Sequence, residues 1–69
     1  MEDLYYSFVK EFENRDVIII LNNQDRLVGY VEVTYPADED DDGRISFTLA
    51  TKHGMRDIFL DEISSIQLA

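Results

Sequence analysis

The chain has 69 residues, 15 of them acidic and six basic, for a formal net charge of -9 and a pI near 4.2. It contains no cysteine, which excludes a disulfide scaffold, a thiolate zinc site and a thiol nucleophile, and its one histidine excludes a multi-histidine metal site. The length fits one small domain, residues 1–69, and an apolar content of 45 % is enough for a folded core.

No apolar run approaches the roughly 18 residues of a membrane span. The chain starts Met1-Glu2-Asp3, acidic where an export signal is basic, so the expected location is the cytoplasm. A domain of this size buries only ~60 % of the surface that its unfolded chain exposes, and one core of this kind supplies roughly 3–5 kcal/mol. Homo-oligomer formation would cover apolar faces that a monomer leaves wet. The net charge opposes tight self-packing, within the screening limit of ~8–10 Å.

Residues 3–13 read as a helix, with Leu4, Tyr5, Phe8, Val9 and Phe12 on one apolar stripe and Asn14 as a left-handed stop. The period then changes. Val17-Ile18-Ile19-Ile20-Leu21 is a β-branched run suited to a buried strand, about 16–22, followed by the turn residues Asn22, Asn23, Gln24 and Asp25. The next strand runs over 26–35. Simple alternation puts Leu27, Gly29, Val31, Val33 and Tyr35 on one face, with Val28, Tyr30, Glu32 and Thr34 on the other. Gly29 inside a strand indicates a bend or a close backbone approach. Pro36 ends the strand. Further strands are expected at 44–52, 55–60 and 63–68, with a turn at His53-Gly54 and a polar break at Asp61-Glu62, where Asp61 is expected to cap the turn.

One helix and five short strands with a corner glycine predict a mainly β fold. The expected form is a small, strongly bent antiparallel sheet, an SH3-like barrel with the helix over one end.

The chain resembles the Sm-like family, whose members have an N-terminal helix and a five-stranded bent barrel. The residues that carry the likeness are Val17–Leu21, the turn Asn22–Asp25 and Leu27-Val28-Gly29, then Ile58-Phe59-Leu60, Asp61-Glu62 and Ile63-Ser64-Ser65-Ile66. The family's RNA pocket uses an Asp and an Asn after the second strand and an Arg-Gly pair at the second break. Here those places hold Thr34-Tyr35-Pro36 with an acidic run, and Leu60-Asp61-Glu62, so the pocket has no recognisable counterpart. Within the same fold, Gly54 to Ser65 is similar to a segment of the Rof family, small acidic proteins that bind transcription termination factor Rho. The Pro, Cys and Tyr-Asp motifs of that family have no match in Met1 to Asn14.

Asp38-Glu39-Asp40-Asp41-Asp42 is the most unusual segment. Five consecutive carboxylates repel one another and stay solvated, which suits an exposed hairpin loop. Asp38, Asp40 and Asp42 also have the alternate spacing of a calcium loop, followed by Gly43. The twelfth position, however, is Leu49 rather than a bidentate Glu, and the flanks read as strands, so such a site would be no tighter than about millimolar. A third reading makes the run a stand-in for phosphates that draws a basic partner.

Catalysis is not expected. His53 is a turn residue, Ser64 and Ser65 have no indicated base, and Asp61 and Glu62 point apart as neighbours in extended chain. No cofactor is implied. The functional expectation is therefore a non-catalytic module that binds a basic protein surface, such as that of a nucleic-acid-binding protein, in transcription or nucleic-acid handling. Candidate contacts are Asp38, Glu39, Asp40, Asp41 and Asp42, with Glu2, Asp3, Glu11 and Glu13 of the helix segment. Direct nucleic-acid binding is opposed by the charge. An Sm-type RNA reading would need Arg26, Lys52 and Arg56 to form a locally basic surface.

Overall fold

A computed structural model describes residues 4–36 and 43–69. The chain forms helix α1 (Leu4–Phe12) and strands β1 (Asp16–Leu21), β2 (Arg26–Tyr35), β3 (Ser46–Thr51), β4 (Gly54–Phe59) and β5 (Ile63–Leu68). A 3-10 turn, Leu60–Glu62, joins β4 to β5. All strand pairs are antiparallel, and the sheet order is β4-β3-β2-β1-β5. The fold is thus mainly β with one N-terminal helix, as the pattern predicts.

This order forces curvature. Strands β4 and β5 are the two edges, and in a flat five-stranded sheet they would lie ~19 Å apart. The connector between them is three residues of 3-10 helix, a span of ~6 Å. The sheet is therefore curled until the end of β4 meets the start of β5. Leu60 N–H donates to Ile45 O (2.8 Å) and Asn22 N–H to Glu62 O (2.9 Å), which pins the connector to the chain on either side.

The curl tightens at Gly29. A Cβ built there would lie 2.6 Å from the Ala50 carbonyl oxygen and 2.9 Å from Leu49 Cγ. Strands β2 and β3 approach closely because no side chain separates them. Inside the curl, Val17 and Ile19 of β1, Val31 of β2, Phe47 and Leu49 of β3 and Ile58 of β4 are fully buried. Leu21 and Phe8 complete the core. From α1, Phe8 stacks on Phe47 with ring centroids 4.9 Å apart, and Phe12 follows at 5.2 Å from Phe8. The predicted helix stripe is wider than the buried one: Leu4 is 57 % exposed, and Tyr5, Val9 and Phe12 are half-buried.

One expectation for β2 is overturned. The alternation slips between Val31 and Val33: Val31 pairs with Leu49 and Val33 with Thr48, so Glu32 is an extra residue, a β-bulge. Beyond it the faces exchange. Thr34 turns inward and is buried, while Val33 and Tyr35 turn out, 38 % and 48 % exposed. The bulge is held by the end of the helix. Asn14, at φ 65°, donates its N–H to Val31 O (2.8 Å), and Val31 N–H donates to Arg15 O (3.0 Å). Glu13 Oε2 accepts the Thr34 N–H at 2.9 Å. The helix stop thus sets the register of the second strand.

Among the described residues no helix is long and apolar enough to cross a membrane.

Gly29→Ala would drive a methyl group against a backbone carbonyl that cannot yield without opening the sheet. Overpacking of this kind costs roughly 1–3 kcal/mol, a large share of the roughly 3–5 kcal/mol that a core this small supplies. Urea unfolding at 25 °C is expected to show a clearly lowered midpoint. A midpoint equal to that of the parent would show that the β2–β3 approach is not tight in solution.

Candidate functional site

Fifteen acidic side chains share the chain with only six basic ones. Among the described residues the ion pair is Arg44–Asp61, Nη2 to Oδ1 at 2.8 Å. Arg44 Nε donates to the other carboxylate oxygen, Oδ2, also at 2.8 Å, a two-pronged arrangement. The same guanidinium lies 3.7 Å from the centroid of the Phe59 ring. One side chain therefore ties the approach to β3 to the end of β4 and to the 3-10 turn. Asp61 is not the turn cap that the sequence suggests. Glu62 takes that role, its Oε1 accepting the Phe59 N–H at 3.3 Å, because the turn places Asp61 opposite Arg44. The backbone oxygen of Asp61 accepts from Asn22 Nδ2 (2.9 Å), joining the first hairpin to the same corner.

Around this corner lies the outer face of the sheet. Its cross-strand rows are Val33, Thr48 and Asp57, then Tyr35, Ser46 and Phe59. Thr48 Oγ1 donates to Asp57 Oδ1 at 2.9 Å. The face is apolar at Val33 and Tyr35, which stand exposed on β2, and at Phe59 of β4, and polar at Ser46, Thr48 and Asp57. The bulge at Glu32 puts the two apolar side chains there. Nothing in the alternation of the sequence announces them, since an extra residue in a strand leaves no compositional mark.

The sequence-predicted contacts divide in three. Glu2, Asp3 and the run Asp38, Glu39, Asp40, Asp41 and Asp42 lie outside the described residues, and with them the candidate calcium ligands. Glu11 is exposed on α1, beside Lys10 and Arg15. Glu13 is half-buried, with one carboxylate oxygen committed to the Thr34 N–H, so it fixes the helix end to β2. Among the described residues no group of three or more His, Cys, Asp or Glu is placed to hold a metal ion. The three cations that an RNA reading would need, Arg26, Lys52 and Arg56, line a single cavity together with His53. Lys52 and Arg56 belong to one hairpin, and the antiparallel pairing of β2 with β3 brings Arg26 beside it.

No family model matches the chain, no curated protein matches it, and no solved structure matches its fold.

The Arg44 guanidinium holds the Asp61 carboxyl below its ordinary value, first by hydrogen bonding and then by charge. A depressed carboxylate pKa stabilises the fold above the ordinary value, and that contribution is lost as pH falls through the lowered one. Its effect is therefore constant at neutral pH and disappears only in acid. NMR titration of the side-chain carboxyl groups should give Asp61 a midpoint below the ordinary carboxylate value, and Arg44→Ala should raise it into the ordinary range. An ordinary Asp61 midpoint in the parent protein would show the pair to be open in solution.

Proposed function

We propose that the protein is a small, non-catalytic interaction module that binds a basic protein surface, with a nucleic-acid-binding protein as the class of partner. The observation that carries the reading is the exposed outer face. Val33 and Tyr35 stand at the end of β2, directly before the acidic run, and Arg44, over the Phe59 ring at the end of β4, stands where the chain resumes after it. Exposed aromatic side chains beside concentrated charge suit a partner with Lys and Arg around an apolar centre. Tyr35 provides a ring over which a cation can sit, and the carboxylates between Pro36 and Gly43 steer the approach.

The architecture supports the resemblance to the Sm-like family and, within it, to Rof proteins. One helix precedes five strands, and a sharp polar turn separates the last two. The Rof likeness favours a protein partner over RNA, in keeping with the net charge of -9.

Immobilised protein incubated with nuclease-treated extract of its own cell, at about 50 mM salt where electrostatic attraction is strongest, should retain a basic protein that raised salt releases. Replacing Asp38, Asp40, Asp41 and Asp42 with Asn should weaken the capture. Tyr35→Ala should weaken it without changing its salt dependence. Capture indifferent to salt, loop charge and Tyr35 alike would overturn the reading, as would retention of RNA alone before nuclease treatment.

A further inference from the structure

Three of the six basic residues of this acidic chain converge on one place. Arg26 and Val28 at the start of β2 form one wall, Lys52 and His53 in the β3–β4 turn a second, and Met55 and Arg56 of β4 a third. The cavity they surround measures about 800 Å³, within the size range of small-molecule sites. Among the described residues no carboxylate lines it.

The carboxylates close to these cations in sequence are engaged elsewhere. Asp25 Oδ2 accepts from Asn23 Nδ2 at 3.2 Å, and Asp57 Oδ1 accepts from Thr48 at 2.9 Å. Arg56 also borders a second hollow containing Asp61 and Glu62. There Asp61 is taken by Arg44, and Glu62 by the Phe59 N–H. Among the described residues, neither Arg26, Lys52 nor Arg56 forms an ion pair. Cations gathered side by side repel, and on a surface so rich in acid the simplest relief would be a neighbouring carboxylate. The fold provides none inside the cavity, which leaves the charge available to an external anion.

We infer that this cavity binds a small organic phosphate of the nucleoside diphosphate class. Two guanidinium forks and an ammonium match phosphate oxygens in geometry and charge. Val28 and Met55, 49 % and 65 % exposed, offer an apolar wall for a planar base, and a thioether adapts readily to such a surface. The net charge decides between a small ligand and a polymer. A long polyanion would run beyond the cavity and meet the whole acidic surface, whereas a compact anion would sit among the three cations, with Asp25 and Asp57 the nearest carboxylates in sequence. The site lies apart from the outer face of Val33 and Tyr35, so it stands or falls independently of the proposed protein partner.

Amide chemical shifts of the full chain, followed by NMR at about 50 mM salt during addition of ADP, adenosine or a short oligouridylate, test the assignment. With ADP, saturable shifts are expected at Arg26, Lys52, His53, Gly54 and Arg56, while adenosine should produce much weaker ones. The double variant Lys52→Gln, Arg56→Gln should weaken ADP binding by roughly tenfold or more, as loss of charge-assisted hydrogen bonds implies. Both side chains are exposed, so the amide signals of Val31 and Phe47 should stay in place and show that the fold is intact. Shifts absent at saturating ADP, or spread equally to Lys10 and Arg15, would overturn the inference. Tighter binding of the oligouridylate than of ADP would overturn it in favour of a polymer.

Discussion

The fold depends on a contact made possible by a missing side chain. At Gly29 strand β2 lies so close to the Ala50 carbonyl that no Cβ fits between them. From that approach follows the curl of the sheet, and from the curl the meeting of its two edges across three residues. The meeting creates the corner where Arg44, Phe59 and Asp61 lock together. The antiparallel pairing of β2 with β3 lays the start of β2 beside the β3–β4 turn, which forms the cationic cavity. The two surfaces of interest thus come from the curled corner with its bulge and from strand pairing.

Much of this was legible in the residues. The β-branched run Val17–Leu21 is a central strand because such side chains favour a pleated, buried surface. Gly29 was marked by its position inside an otherwise β-prone stretch, and Asn14 by its tolerance of positive φ. Illegible features are those settled by distant partners. β3 begins at Ser46 rather than 44, because Arg44 and Ile45 are taken up by the 3-10 corner. The exchange of roles between Asp61 and Glu62 depends on Arg44, 17 residues upstream of Asp61. The bulge at Glu32 depends on hydrogen bonds from the helix end. For the sites, acidity could be counted from the sequence, but the convergence of Arg26, Lys52 and Arg56 depends on which strands pair and in what register.

The distribution of charge complements the distribution of structure. Among the described residues Asp25, Asp61 and Glu62 lie in turns and Asp57 on an outer row, all exposed, while Arg44 pairs with both a carboxylate and a ring. A surface ion pair is usually worth little. Here it joins segments that the chain visits far apart, so its geometry matters more than its strength. Glu13 acts in the same way at the other side of the sheet, where one carboxylate holds a strand N–H that the bulge would otherwise leave to solvent.

The bulge also bears on how such a chain can change over time. Strand faces have a period of two, so the bulge at Glu32 determines which side of the sheet everything from Val33 to Tyr35 occupies. Loss of that one codon would only make the ladder regular, with Val33 and Tyr35 still outside and Thr34 still inside. If instead all ten residues of the strand stayed and Glu32 itself paired with Thr48, Val33 and Tyr35 would turn toward the interior and Thr34 would be expelled. The hydrogen bonds from the helix end that hold the bulge, rather than the residue count, therefore decide whether the aromatic patch faces water.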